Sequence, residues 1–141
     1  MTHSLVEKRL PAMVIHKLRV LYCEDDEDSR EMMRLILAKE GFEVLCLYSP
    51  YDLLALAKEQ RFDAYLLDSC LRELSGKELC LRIREFDSHT PIIFYSGAAT
   101  DSDKDEAIAA GAQAYIIKPA SIEHLIGTIR STIKKSLTAS A

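Results

Sequence analysis

The sequence alternates five times between a short apolar run and a segment in which apolar residues recur at helical spacing. The apolar runs are the predicted strands, at 18–23, 42–48, 64–67, 91–95 and 114–117. The predicted helices cover about 27–40, a segment from Pro50, 75–86, about 102–110 and about 121–136. Parallel strands need long crossover connections, which are right-handed. Five such units predict an α/β fold with a parallel sheet between two layers of helices.

The chain has the size and composition of one folded domain. It has 141 residues, of which 48% are hydrophobic, and a formal net charge of −4. This balance argues against a nucleic-acid-binding surface. No apolar stretch is long enough to span a membrane, and residues 1–17 lack the apolar core of a signal peptide. We therefore expect a cytoplasmic protein with no membrane insertion and no direct contact with nucleic acid.

The two ends of the chain differ from its middle. Residues 1–17 mix charged and apolar residues without a clear period, and we interpret them as an N-terminal extension of unknown order. Residues 18–136 carry all five strand–helix units and form the predicted domain. Residues 137–141 are mostly Ser, Thr and Ala, and we expect them to be a frayed C-terminal tail.

The four cysteines do not have the spacing of a zinc site or of a redox pair. They are Cys23, Cys46, Cys70 and Cys80, and no two of them form a C-x-x-C motif. Cys23 and Cys46 lie inside predicted strands. A buried free thiol behaves as a small hydrophobic group, so we predict reduced cysteines that serve packing.

Polar groups follow four of the five predicted strands. They are Glu24-Asp25-Asp26, Asp68, Ser96 and Lys118-Pro119. In an open parallel sheet, ligands bind beyond the carboxyl ends of the strands. If these strands are neighbours, carboxylates, a hydroxyl and an ammonium meet at one place. That set suits a divalent cation, which prefers oxygen ligands, together with a phosphoryl group.

Each of these motifs also has a purely structural interpretation. The acidic segment could be a solvated turn leading into a helix N-terminus, where negative charge is favourable. Asp68 could be a turn residue, Ser96 could start a turn with Gly97, and Lys118 could lie on the surface. The occurrence of all four at successive strand ends, in this order, favours a shared functional site over four separate turns.

The same motifs, at their spacing, resemble the receiver domain of bacterial two-component response regulators. The resemblance covers residues of about 18–136. It rests on Leu21-Tyr22-Cys23-Glu24-Asp25-Asp26 with Arg30, on Leu66-Leu67-Asp68 with Gly76, on Phe94-Tyr95-Ser96-Gly97, and on Gly111-Ala112 with Tyr115-Ile116-Ile117-Lys118-Pro119. It implies a flavodoxin-like, doubly wound, five-stranded parallel sheet of order 2-1-3-4-5 with helices on both faces.

The resemblance also implies a role for each site residue. Asp68 would accept a phosphoryl group from a sensor histidine kinase or a histidine phosphotransfer protein. Glu24, Asp25, Asp68 and the backbone carbonyl of Cys70 would hold Mg²⁺. Ser96 and Lys118 would bind phosphoryl oxygens, and Lys118-Pro119 would be a cis peptide. Tyr115 would change rotamer together with Ser96, and this switch would reshape the surface of the fourth helix, fifth strand and fifth helix.

Four positions depart from the family pattern or vary within it. Arg72 stands where proline is common, and Ala120 replaces a frequent phenylalanine on the side where kinases dock. Cys70 and Ala98 flank the phosphoryl site, and neither side chain is suited to orient an attacking water. We therefore predict slow loss of the phosphoryl group. Glu24 in place of aspartate is a frequent variant that keeps metal binding.

Several alternatives stay open at this point. A stand-alone receiver would signal to a downstream protein target or relay phosphate, as a monomer or a weak phosphorylation-linked dimer, and would not be a turnover enzyme. The chain could also be a module of a longer hybrid kinase or regulator, or a degenerate receiver used only for docking. A haloacid-dehalogenase-like phosphatase would need Asp-x-Asp after the first strand and an acidic pair after the lysine, and flavodoxin would need a Ser/Thr-rich phosphate loop. Neither pattern is well matched.

Overall fold

The computed structural model describes residues 16–139, and the predictions for 1–15 and 140–141 lie outside that range. The strands are β1 (Arg19–Cys23), β2 (Glu43–Leu47), β3 (Ala64–Leu67), β4 (Ile92–Ser96) and β5 (Ala114–Ile117). The helices are α1 (Glu27–Lys39), α2 (Pro50–Glu59), α3 (Gly76–Arg84), α4 (Asp101–Ala110) and α5 (Ile122–Ala139). Strands and helices alternate along the chain as predicted.

The five strands form one parallel sheet of order β2-β1-β3-β4-β5, which confirms the predicted topology. In its register, Tyr22 on β1 pairs with Cys46 on one side and Leu66 on the other. The central strand β3 is buried along its whole length, as expected for a parallel strand covered on both faces. The carboxyl ends of β1, β3 and β4 therefore lie side by side.

Two hydrophobic cores cover the two faces of the sheet. On one face, α1 and α5 contribute residues such as Leu37 and Ile129, which pack with Val20 and Leu66 of the strands. On the other face, α2, α3 and α4 pack against the remaining strand residues, which include the buried Phe94. Burial of these apolar side chains is the main stabilising contribution to such a fold.

Polar side chains fix where the helices near the carboxyl edge begin. Asp26 caps α1, since its carboxylate accepts from the Ser29 N–H at 2.9 Å. Ser75 caps α3 and accepts from Glu78 at 3.1 Å, and Ser121 accepts from the backbone N–H of His124, also at 3.1 Å. These caps hold the loops that carry the acidic cluster, the segment after Asp68 and the segment after Lys118.

Several element ends differ by one to three residues from the sequence prediction, and two of these differences involve Ser96 and the C-terminal tail. β4 includes Ser96, which was expected just after the strand. α5 continues to Ala139 rather than ending near Ser136, and the Thr138 hydroxyl supports this last turn by donating to the carbonyls of Lys134 and Lys135. Residues 137–139 of the expected frayed tail are therefore helical. The division into extension, domain and tail stays a prediction.

The cysteine prediction is correct in part. All four thiols are free, and Cys23 and Cys80 are buried. Burial raises the pKa of Cys23 to about 12 and that of Cys80 to about 11, so both remain protonated at neutral pH. The packing role is wrong for Cys70, which is exposed in the loop after β3. Cys46 is half-buried, and its thiol donates to the Arg30 carbonyl at 3.6 Å.

Within residues 16–139, no helix is both long and apolar enough to cross a membrane.

Candidate functional site

Three charged side chains from three strand ends meet at the carboxyl edge of the sheet. The ammonium of Lys118 donates to Glu24 Oε1 at 2.7 Å and to Asp68 Oδ2 at 3.0 Å. Glu24 and Asp68 are buried, and Lys118 is partly buried. The hydrogen bonds between strands continue beyond the strand ends to two of these residues. The Asp68 N–H donates to the carbonyl of Cys23, and the Lys118 N–H donates to the carbonyl of Ser96. The predicted convergence of these three residues is confirmed.

The acidic loop after β1 is held by a guanidinium. Arg30 donates through Nη1 to the carbonyl of Glu24 at 2.8 Å and to that of Asp25 at 2.7 Å. Asp25 lies beside the cluster, and its carboxylate accepts from the backbone N–H of Arg72 at 2.9 Å. The third acid of the motif, Asp26, points its carboxylate at Ser29 and caps α1 instead. Of the three consecutive acids, only Glu24 therefore contacts Lys118, while Asp25 binds the loop that follows Asp68.

Asp68 is fixed on both of its carboxylate oxygens. Oδ1 accepts from the Cys70 N–H at 3.0 Å, while Oδ2 accepts from Lys118. The backbone around Asp68 is also tightly packed. A Cβ at Gly76, the first residue of α3, would lie 2.2 Å from the Asp68 carbonyl oxygen. Glycine is therefore required at position 76 for α3 to approach the end of β3 this closely.

Burial and the hydrogen bonds of the cluster together shift the pKa values of its three charged groups. Burial raises the pKa of Glu24, and its bond to Lys118 only partly offsets this effect. Burial also raises the pKa of Asp68, but the Cys70 N–H and the Lys118 ammonium outweigh it, so this pKa lies below its ordinary value. Burial lowers the pKa of Lys118, and the two carboxylates reverse the effect and raise it. Asp68 is therefore ionised beside a protonated lysine at neutral pH.

Ser96 and Tyr115 are linked through one backbone unit. The buried hydroxyl of Ser96 accepts from the Ala98 N–H at 3.2 Å. The Tyr115 hydroxyl donates to the carbonyl of the same Ala98 at 2.7 Å. Tyr115 also stacks on Phe94, with ring centroids 5.6 Å apart and an angle of 6° between the planes. The two residues assigned to the switch by resemblance are thus connected by two hydrogen bonds in series.

The donor set fits a hard divalent cation by its chemistry. Glu24, Asp25 and Asp68 supply carboxylate oxygens, and the Cys70 backbone lies beside Asp68. Two cations contact these carboxylates: Lys118, and the exposed Arg72, whose Nε lies 3.8 Å from Asp25. The side chains are not gathered around one point, however. In the described part of the chain, no three His, Cys, Asp or Glu residues are arranged to hold a metal ion. The ammonium instead lies between Glu24 and Asp68.

Sequence reasoning missed three residues that shape this site. Ser69 forms a hydrogen bond with Ser96, hydroxyl to hydroxyl. The Lys118 ammonium lies 5.1 Å from the ring centroid of Tyr95, within cation–π range. The hydroxyl of Tyr22 is the one fully buried side-chain polar atom among residues 16–139 that lacks a hydrogen-bond partner. The position of Ser69, next to Asp68, was the available signal.

Lys118-Pro119 is a cis peptide, as the resemblance implied. This bond precedes α5 and lies next to the lysine that joins Glu24 to Asp68.

Comparison with known proteins agrees with this architecture. The model of the response regulator receiver domain family matches residues 20–130. The uncharacterized transcriptional regulatory protein YkoG of Bacillus subtilis is 33% identical over 124 residues, which cover 88% of this chain and 54% of YkoG. The response regulator ArlR of Staphylococcus aureus is 32% identical over 117 residues, which cover 83% of this chain and 53% of ArlR. The chain therefore spans about half the length of these relatives.

Solved structures show the same fold. A CheY-like response regulator receiver domain protein from Methanospirillum hungatei JF-1 aligns with a TM-score of 0.84 and 26% identity, covering 88% of this chain and 99% of its own. The receiver domain of the sensor histidine kinase PA1611 from Pseudomonas aeruginosa PAO1, with magnesium coordinated in its active site cleft, aligns with a TM-score of 0.78 and 25% identity, covering 84% and 99%. By its family model, its relatives and its fold, the chain belongs to the receiver domains of two-component response regulators.

Proposed function

We propose that the chain is a phosphorylation-dependent signalling switch in which Asp68 accepts a phosphoryl group. The observation that carries this proposal is the double fixation of the Asp68 carboxylate, by the Cys70 N–H on one oxygen and by Lys118 on the other. These contacts aim a buried, ionised carboxylate at the edge of the sheet where ligands bind. A sensor histidine kinase or a histidine phosphotransfer protein is the donor in this proposal.

The chemistry is a transfer between two nucleophiles. A carboxylate oxygen of Asp68 forms a bond to phosphorus, the bond between phosphorus and the donor histidine nitrogen breaks, and an acyl phosphate results. The lowered pKa of Asp68 keeps this carboxylate ionised. The ammonium of Lys118, already 3.0 Å from Asp68, offsets the charge of the phosphoryl oxygens. The protein modifies its own side chain and does not turn over a small substrate.

Glu24, Asp25, Asp68 and the carbonyl of Cys70 are the residues that would hold Mg²⁺. The ion supplies, when bound, further neutralisation of charge on the phosphoryl oxygens. The three carboxylates outnumber the two cations that contact them, Lys118 and the exposed Arg72, so the cluster keeps the net negative charge that a cation requires. The magnesium in the cleft of the PA1611 receiver domain supports this part of the proposal.

The signal would pass through Ser96 and Tyr115. A phosphoryl group attracts the Ser96 hydroxyl, and the bond from the Ala98 N–H to that hydroxyl changes with it. Tyr115 is bonded to the same Ala98, so its rotamer is coupled to the position of Ser96. The added dianion thereby shifts the equilibrium between two packings of α4, β5 and α5. A downstream protein would recognise that surface.

A second setting for the same switch is favoured by the length of the relatives. YkoG and ArlR are about twice as long as the matched region, which supports a receiver module within a longer hybrid kinase or multidomain regulator. A docking-only role is less supported, because Asp68 and Lys118 are both present and in contact. In either setting we place the domain in the cytoplasm, as a monomer or a weak phosphorylation-linked dimer.

The test is incubation with acetyl phosphate and Mg²⁺, followed by intact-mass analysis. The wild type and Asp105→Asn, an exposed carboxylate on α4, should each gain the mass of one phosphoryl group. Asp68→Asn should gain none, and omission of Mg²⁺ should abolish the gain in the wild type and in Asp105→Asn. Equal labelling of Asp68→Asn would contradict the assignment.

Because the side chains of Cys70 and Ala98 do not orient an attacking water, we also expect the phosphorylated form to decay slowly. Decay of this form within seconds would contradict that expectation.

A further inference from the structure

Ser69 is the residue between the proposed phosphoacceptor and the exposed Cys70. Its hydroxyl forms a hydrogen bond with the hydroxyl of Ser96. The other polar neighbour of that hydroxyl is the Cys70 thiol, at 3.8 Å. The backbone of Ser69 is fixed as well, since its carbonyl accepts from the Gly76 N–H at 3.1 Å. Ser69 is therefore held against Ser96 by the close approach of α3.

The hydrogen-bonding capacity of Ser96 is limited. A serine hydroxyl has one proton to donate and two lone pairs to accept with. One lone pair of Ser96 is used by the Ala98 N–H at 3.2 Å. The bond to Ser69 uses either the proton or the remaining lone pair. A phosphoryl oxygen only accepts hydrogen bonds, so it needs the proton of Ser96. If Ser96 donates to Ser69, it has no proton left for another acceptor, and if it accepts from Ser69, both of its lone pairs are used and the hydroxyl is held in its present position.

We propose that Ser69 is a positioning residue that holds the Ser96 hydroxyl in the unphosphorylated protein and competes with the phosphoryl group for it. This inference rests on the proposed function, because it needs a phosphoryl group on Asp68. It adds to that function a contact within the chain, the Ser69–Ser96 hydrogen bond, that opposes the shift of Ser96. Occupation of Asp68 must break the Ser69–Ser96 bond before Ser96 can shift. Ser69 thereby sets how readily the switch responds.

The test measures binding of beryllofluoride, a phosphoryl mimic, in the presence of Mg²⁺. Ser69→Ala removes the competing hydroxyl, and we expect it to bind the mimic about fivefold more tightly, the effect of one net hydrogen bond. Ser69→Gly lacks the hydroxyl too and should change affinity in the same direction. Ser69→Thr keeps it and should bind like the wild type. In a Ser96→Ala background, Ser69→Ala should have no effect.

A merely structural role for Ser69 would give a different result. Loss of packing loosens the site and weakens binding, whereas release of Ser96 strengthens it. The NMR signal of the Ala98 amide gives a second readout, since that N–H donates to Ser96. In Ser69→Ala without the mimic, this signal should move toward its position in the mimic-bound wild type.

Two outcomes separate this inference from the function on which it rests. If wild type is phosphorylated on Asp68 but Ser69→Ala binds beryllofluoride as weakly as wild type or more weakly, the role of Ser69 is wrong and the proposed function stands. If wild type neither binds the mimic nor accepts a phosphoryl group, both are wrong. Tighter binding by Ser69→Ala that persists in the Ser96→Ala background would also overturn the competition.

Discussion

The hydroxyl of Tyr115 donates to the carbonyl of Ala98 at 2.7 Å, and the N–H of that same Ala98 donates to Ser96 at 3.2 Å. The backbone of Ala98 therefore contacts both residues, and a change in either contact affects it. The stack of Tyr115 on Phe94 does not depend on the hydroxyl. The two contacts of the tyrosine can thus be separated by removing a single oxygen atom.

Tyr115→Phe tests the hydroxyl alone. We expect a loss of about 1 kcal/mol in the free energy of unfolding, because one net hydrogen bond is lost while the ring stack remains. Urea unfolding measures the loss, with the exposed Tyr51→Phe as the control. The Ala98 amide signal should shift in Tyr115→Phe only. Unchanged stability together with an unchanged Ala98 signal would show that this bond is absent in solution.

Lys118→Met removes the cation that Glu24 and Asp68 share. At pH 7 we expect a destabilisation of about 2 kcal/mol, since two largely buried carboxylates lose their partner. The lowered pKa of Asp68 contributes stability above the unfolded pKa of about 3.9 and loses it as the pH falls through the folded value. The deficit of the variant should therefore narrow as the pH falls below about 4.

Urea unfolding at several pH values measures this effect. Lys77→Met, at an exposed lysine on α3, is the control and should differ little from wild type at any pH. A deficit of the same size at pH 7 and at low pH would contradict the charge-based explanation and indicate lost packing instead.

Glu24→Gln should increase stability at neutral pH. Burial raises the pKa of Glu24, so the charged form costs stability in the folded state above that pKa, and the cost is relieved as the pH falls through it. The amide keeps an oxygen that can accept from Lys118. Melting curves from acid to neutral pH should show an advantage that grows with pH. Glu106→Gln, at an exposed position on α4, is the control. If Glu24→Gln is less stable than the wild type at pH 7, the predicted increase in stability is wrong.

Gly76→Ala tests the close approach of α3 to Asp68. The added Cβ would lie 2.2 Å from the Asp68 carbonyl oxygen and 2.9 Å from Phe94 Cε2. We expect a loss of about 3 kcal/mol, because the backbone must shift to relieve the overlap. Gly127→Ala is the matched control, since nothing lies within 4 Å of its added Cβ in the middle of α5. Equal stability of the two variants would show that α3 lies farther from Asp68 in solution.

The fold was predictable because the spacing of apolar residues along the chain distinguishes its strands from its helices. Apolar runs such as Ala64–Leu67 followed by helical spacing determine the order of strands, and the order determines which ends meet. Glu24, Asp68 and Lys118 were therefore identified correctly as neighbours. These three residues meet because their strands end at the same edge of the sheet, and not because of any local feature of the loops.

The details beyond the strand ends were less predictable. Once a strand stops, alternation no longer tells which way a side chain points. Asp26 was grouped with the acidic cluster but caps α1. Ser69 was passed over although it contacts Ser96, and Cys70 was expected to pack although it is exposed. The position of the Ser69 segment depends on the close approach of α3 at Gly76, whose N–H donates to the Ser69 carbonyl, and no periodicity in the sequence indicates this approach.

Asp68 is the proposed site of the phosphoryl group. The most direct measurement is reduction of the acetyl-phosphate-treated protein with borohydride, which converts an acyl phosphate to an alcohol, followed by peptide mapping by mass spectrometry. We expect a Mg²⁺-dependent conversion at Asp68 and at no other carboxyl group. Conversion at Asp25 or Glu24 in place of Asp68, or at none of the three, would contradict it.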